Sequence, residues 1–162
     1  MPFRGNGELI PAGFAKLFVR VSPDDGTLQA RDTEPVRPRV LIVDDHEGFR
    51  AVARTLLQGD GLDVVGEAVD GAGALAETSD LRPDLVLLDV HLPDADGFAI
   101  SEFLAALPNP PVVVLISSRP ISDLRSRLKS SSAAGFLAKH QLSGSNVMSV
   151  ARGRLPWSKR ST

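Results

Sequence analysis

Residues 84–89, Asp84-Leu85-Val86-Leu87-Leu88-Asp89, are four consecutive apolar side chains closed at each end by an aspartate. So short a run, with no polar alternation, fits a strand covered on both faces. Working outward, four further segments share this character: Val40-Leu41-Ile42-Val43-Asp44, Asp63-Val64-Val65-Gly66, Val112-Val113-Val114-Leu115-Ile116-Ser117 and Gly135-Phe136-Leu137-Ala138-Lys139. Between them the spacing predicts helices near 47–58, 71–79, 96–106, 120–132 and 142–152. In the first of these, Phe49, Val52, Ala53 and Leu56 share one face. Strands alternating with helices are the mark of a parallel sheet, so the fold class is α/β, a (βα)5 three-layer sandwich around a central five-stranded parallel sheet. Asp44 and Asp89 are 45 residues apart, enough for strand, helix, strand, helix and strand but not for an inserted domain.

The whole chain has 162 residues, a net charge of −2 and 43% hydrophobic residues, which suits one soluble globular domain with some chain left over. It contains no cysteine, which excludes disulfides, thiolate metal sites and a cysteine nucleophile and makes the cytoplasm the expected compartment. No apolar run approaches the roughly 18 residues of a membrane span. Charge is unevenly divided: residues 40–150 hold eight basic and fifteen acidic groups, whereas the last twelve residues hold four basic groups and no acid. An acidic middle is a poor match for a phosphate backbone, which proteins neutralise with Lys and Arg.

Three regions follow. Residues 1–38 are punctuated by proline and glycine and read as a largely disordered N-terminal extension. Within it, Phe14, Leu17, Phe18 and Val21 have the spacing of a short docking helix. Residues 39–152 form the domain. Residues 153–162 are a short basic C-terminal tail, with no room for a DNA-binding domain, which needs several helices and its own core.

In an open parallel sheet, chemistry gathers beyond the carboxyl ends of the strands. The predicted strands end in Asp44-Asp45, Asp89, Ser117 and Lys139, so carboxylates, a hydroxyl and an amine converge on one cleft. A single aspartate at a strand end is an ordinary turn or capping group. Three carboxylates in one register repel one another unless a cation joins them, and an all-oxygen, partly hydrated site suits Mg²⁺.

Together Val40-Leu41-Ile42-Val43-Asp44-Asp45, the run from Leu87 through Asp89 to Gly97, Ile116-Ser117 and Gly135-Phe136-Leu137-Ala138-Lys139 resemble the receiver domain of two-component response regulators, the CheY-like family. The resemblance covers about residues 39–152. It implies a flavodoxin-like phosphoacceptor switch, phosphorylated in a Mg²⁺-dependent reaction by a sensor histidine kinase or a phosphotransfer protein. By position, Asp89 resembles the phosphoacceptor, Asp45 the direct metal ligand, and Asp44 the neighbour that acts through water. The backbone carbonyl of His91 resembles a further ligand. Ser117 resembles the hydroxyl that bonds the phosphoryl group, Lys139 the ammonium beside it, and Phe136 the aromatic rotamer switch. The resemblance also makes His91 and Arg119 tuners of water access to the acyl phosphate.

The chain departs from the family in two places. Lys139 is followed by His140 where the family usually has a cis proline, and a cis bond without proline costs about 2.5–4 kcal/mol. The last helix contains Gly144 and several serines, all weak helix formers, and reads as frayed, which would compromise the face on which many receivers dimerise. The expectation is a stand-alone or C-terminally shortened receiver that signals by a surface change to an unknown downstream target or through a homodimer, without a membrane. It is a switch and not an enzyme, beyond self-catalysed phosphoryl uptake and loss. The alternatives are a phosphorylation-independent interaction module on the same fold, or a Mg²⁺-dependent aspartyl-phosphate hydrolase. Those hydrolases usually carry a second acid two residues after the nucleophile, where this chain has His91.

Overall fold

The structure, a computed structural model, describes residues 37–152, 154 and 155. The expected docking helix, nearly all of the N-terminal extension and most of the basic tail lie outside the described residues.

Five strands form one parallel sheet: β1 (Arg39–Val43), β2 (Asp63–Ala68), β3 (Leu85–Asp89), β4 (Val112–Ser117) and β5 (Gly135–Ala138). Their order across the sheet is β2-β1-β3-β4-β5. The helices are α1 (Glu47–Gly59), α2 (Gly71–Leu81), α3 (Gly97–Ala105), α4 (Arg125–Lys129) and α5 (Gly144–Ala151). Successive residues of β1 and β3 point to opposite faces, and both faces are buried. Val40, Ile42, Leu85 and Leu87 pack with Leu57 of α1 and Val147 of α5. Leu41, Val43, Val86 and Leu88 pack with Ala74 of α2 and with Ile100 and Leu104 of α3. Two covered faces explain why these strands read as continuous apolar runs.

The order in which successive strands are laid down reverses between β1 and β3, which is where such folds leave a crevice beyond the strand ends. Register sharpens this. Val43 pairs with Leu88, Asp89 with Ile116, and Ser117 with Ala138. Asp44, Asp89, Ser117 and Lys139 therefore lie along one edge.

Two expectations need correction. The helix expected over 120–132 is a 3-10 turn (Ile121–Asp123) followed by only five helical residues, Arg125–Lys129. The first turn of a helix is costly to nucleate, and α4 begins without a side-chain cap and ends in Ser130, Ser131 and Ser132, which favour turns. The fifth helix, in contrast, is well formed. Ser143 caps it by accepting a hydrogen bond from the Asn146 backbone N–H, and Asp60 accepts one from the Gly144 N–H at 2.7 Å. Gly144 weakens the helix by propensity, but a Cβ there would stand 2.4 Å from the Asp60 Cβ. Gly144→Ala is expected to lower stability by about 1–3 kcal/mol, read as a urea midpoint shift at constant slope, whereas an unchanged midpoint would mean that Asp60 yields freely. All described peptide bonds are trans, and after Lys139 the chain turns directly into a short 3-10 segment, Lys139–Gln141.

Candidate functional site

The β1–α1 loop, the end of β3 and the end of β5 bring Asp44, Asp45, Asp89 and Lys139 together. The Lys139 ammonium lies 2.6 Å from Asp44 Oδ2 and donates to Asp89 Oδ2 at 3.1 Å. Its other side faces the Phe49 ring, 4.6 Å from the centroid, so the ammonium is held from two directions. Asp44 is fully buried and Asp89 nearly so, while Asp45 is exposed.

These surroundings separate the two buried acids. Burial pushes the Asp44 carboxyl up, but Lys139 and the His46 backbone N–H outweigh it, holding the group below the usual carboxylate range. Burial, joined by the charge of Asp44, prevails at Asp89 and lifts it above that range despite the His91 N–H and Lys139. Burial alone would lower the Lys139 ammonium, and the two aspartates more than reverse this. Asp44 and Asp89 thus both strengthen the hold of Lys139 on its proton.

The remaining sequence candidates fall around this centre. Ser117 is fully buried at the end of β4, and its hydroxyl accepts a hydrogen bond from the Arg119 backbone N–H at 3.0 Å. The His91 backbone N–H donates to Asp89 Oδ1 at 3.0 Å and fixes that oxygen, while its side chain is exposed. The Arg119 side chain is exposed as well. Phe136 is half-buried on β5, packed on the same cluster as Leu124 and Leu128 of the short α4 segment.

Three contributors were not singled out by sequence reasoning. His46 places Nδ1 3.1 Å from Asp44 Oδ1 and 3.1 Å from Asp45 Oδ1. Its signal is the unbroken Asp-Asp-His after an apolar strand. Gly97 approaches the Asp89 backbone so closely that a Cβ would stand 2.3 Å from the Asp89 carbonyl oxygen. Glu67 on β2 accepts from Arg50 at 2.9 Å and from Arg54 at 2.7 Å. Arg50 also donates to the Asp44 carbonyl at 2.7 Å, which ties α1 and β2 to the acidic loop.

The Arg54 hydrogen bond, with support from Arg50, holds the Glu67 carboxyl below its usual value of 4.5 against a partial burial that raises it. The unfolded chain then binds this proton more readily, so the stabilisation is complete above about pH 4.5 and is lost as pH falls through the lowered folded value. Glu67→Gln is expected to lower stability by about 0.5–1 kcal/mol at pH 7 and by less near pH 3, the pair being partly exposed. Parallel wild-type and variant stability curves across that window would refute it.

The donor set suits a divalent cation. Ligand atoms of Asp44, Asp45, His46 and Asp89 all lie within 4.8 Å of one another. The buried Asp44 Oδ2 is met by the Lys139 ammonium at 2.6 Å. Three carboxylates facing one ammonium leave an excess of negative charge, which a hard cation with oxygen ligands neutralises.

Comparison with known proteins identifies the family. The family model for the response regulator receiver domain matches residues 40–149. The chain belongs to the receiver domain family. This receiver is 36% identical over 103 residues to BvgA, a transcription regulator of virulence factors in Bordetella pertussis, covering 64% of this chain and 49% of BvgA. It is 40% identical over 119 residues to a protein-glutamate methylesterase/protein-glutamine glutaminase of Symbiobacterium thermophilum, covering 72% of this chain and 33% of that protein. The chain therefore spans about half the length of BvgA and a third of the methylesterase. Among solved structures, the signal receiver domain of NarL from Mycobacterium tuberculosis superposes with a TM-score of 0.66 at 34% identity, covering 74% of this chain and all of that domain. The family is that of the phosphoacceptor switches of two-component response regulators. No described helix is long and apolar enough to cross a membrane.

Proposed function

We propose that this receiver accepts a phosphoryl group on Asp89 from a sensor histidine kinase or a phosphotransfer protein. The observation that carries this reading is the Lys139 ammonium shared between Asp44 and Asp89, at 2.6 and 3.1 Å. An Asp89 carboxylate oxygen attacks phosphorus, the bond from phosphorus to the donor nitrogen breaks, and an acyl phosphate forms. Both reactants are anions, so their approach must be screened. Mg²⁺ held by Asp45, Asp89 and the His91 backbone carbonyl, with Asp44 acting through water, would supply that screening. Lys139 steadies the transferred oxygens, and Asp44 keeps Lys139 in place. Ser117 releases the Arg119 N–H and turns its hydroxyl toward a phosphoryl oxygen. Phe136 responds by changing its packing against Leu124 and Leu128, which alters the surface near α4. A five-residue α4 with an uncapped start is the element least resistant to such a change. His91 and Arg119, exposed at the rim, set how readily water reaches the acyl phosphate.

In this reading residues 39–152 are the working unit, 1–38 an extension and 153–162 a basic tail. Relatives named as a transcription regulator and as a methylesterase share the matched region. This reading assigns output to a downstream target or to self-association, in the cytoplasm. The chain acts as a switch and not as a turnover enzyme.

The test is intact mass after incubation with acetyl phosphate. One added phosphoryl group is expected with Mg²⁺ and none with chelator. Absence of uptake with Mg²⁺, where a control receiver is labelled, would leave a phosphorylation-independent module. Continuous phosphate release with turnover would instead indicate a hydrolase.

A further inference from the structure

The position that starts α1 is occupied by a residue that does not serve the helix. His46 is the N-cap, and its side chain makes no capping hydrogen bond. Asn, Asp, Ser or Thr at such a position satisfies a backbone N–H that histidine here leaves without a cap. The imidazole turns instead toward the acids, with Nδ1 at 3.1 Å from an oxygen of Asp44 and at 3.1 Å from an oxygen of Asp45. The Asp44 contact is within hydrogen-bonding distance, and the same spacing is that of adjacent ligands of a divalent ion, which, each at about 2.0–2.2 Å from it, stand about 3 Å apart. Ligand atoms of His46 and the three aspartates all lie within 4.8 Å of one another. The ring is also reachable, with 69% of its side chain exposed.

We infer that His46 is a nitrogen ligand of the divalent-cation site and makes this receiver favour borderline ions such as Ni²⁺ and Zn²⁺ over Mg²⁺. This rests on the phosphoacceptor reading only in that the carboxylates of Asp44, Asp45 and Asp89 must hold a cation. Carboxylates and water suit Mg²⁺, whereas each imidazole added shifts preference along the first-row series toward nickel, copper and zinc. The consequence is a receiver whose site responds to which metal is supplied.

Calorimetric titration of the full chain with MgCl₂, NiCl₂ and ZnCl₂ tests this, using wild type and His46→Asn. Asparagine is a favourable N-cap, so folding is not at risk. Ni²⁺ and Zn²⁺ are expected to bind the variant at least tenfold more weakly, while Mg²⁺ affinity changes by less than about threefold. As a spectroscopic check, Cu²⁺ bound to a His91→Asn/His140→Asn variant retains a ¹⁴N splitting that disappears when His46 is also replaced. His46 is then the last of the three histidines. Unchanged Ni²⁺ and Zn²⁺ affinity in His46→Asn, or an equal loss for all three ions, overturns the histidine ligand while leaving the Mg²⁺ site standing. No binding of any ion to wild type, together with no Mg²⁺-dependent phosphoryl uptake, overturns both.

Discussion

Asp89→Asn is expected to take up no phosphoryl group and, at neutral pH, to be more stable than the wild type by about 1–2 kcal/mol. Loss of uptake follows from removal of the nucleophilic oxygen. Added stability follows from the cost of a buried charge beside another of the same sign. Burial and the Asp44 carboxylate raise the proton affinity of folded Asp89 above that of the unfolded chain. The folded state therefore holds more proton at this group, and stability falls as pH rises from the ordinary carboxylate range through the raised folded value. Asparagine removes that penalty, and Lys139 keeps its other partner, Asp44, at 2.6 Å. The gain should shrink toward acid pH, where wild-type Asp89 is neutral too. Intact mass with acetyl phosphate and urea unfolding at two pH values measure both effects. Phosphoryl uptake by the variant would move the acceptor elsewhere, and a variant less stable at pH 7 would mean that the Lys139 hydrogen bond outweighs the burial of charge.

Gly97→Ala has the largest expected effect on the fold near the site. An added Cβ would stand 2.3 Å from the Asp89 carbonyl oxygen, 2.7 Å from the Val90 Cα and 3.0 Å from the Asp89 carbonyl carbon. All three are backbone atoms, so no side chain can swing aside. The Gly97 N–H also donates to the Val90 carbonyl at 2.7 Å, which closes the loop over the end of β3. One methyl group must therefore push α3 away from β3 or move Asp89 itself. A loss of about 3 kcal/mol or more is expected, at the upper end for a single substitution. Displacing a reacting group by about 1 Å costs on the order of 100-fold in rate, so the initial rate of phosphorylation should fall by a similar factor in whatever fraction remains folded. A urea midpoint within experimental error of wild type, with normal phosphoryl uptake, would rule out the close approach.

Much of this arrangement was legible in the residues. The apolar runs at 84–89 and 112–117 are long enough to be strands and too uniformly apolar to face water, so they had to be buried between helices. Strand ends are where an open parallel sheet presents its chemistry, so Asp44, Asp45, Asp89, Ser117 and Lys139 stood out as a set. The element over 120–132 was misjudged because the serines that end α4 act through the backbone and leave no mark on hydrophobic periodicity. The fifth helix was underrated for the opposite reason. Its stabilising partner, Asp60, is 84 residues away in the chain.

By itself the amino-acid order determined the α/β class, the parallel sheet and the aspartates at its edge, because these follow from the period and length of apolar runs. Only tertiary structure decided which acid holds its proton more tightly, since Asp44 and Asp89 differ in their neighbours and not in their chemistry. Tertiary structure alone turned His46 toward two carboxylates, set Gly97 against the Asp89 backbone, and joined Glu67 to Arg50 and Arg54. The physical reason is common to all of them: proton affinity, ligand geometry and steric contact depend on distances of a few ångströms between residues that the chain keeps far apart until it folds.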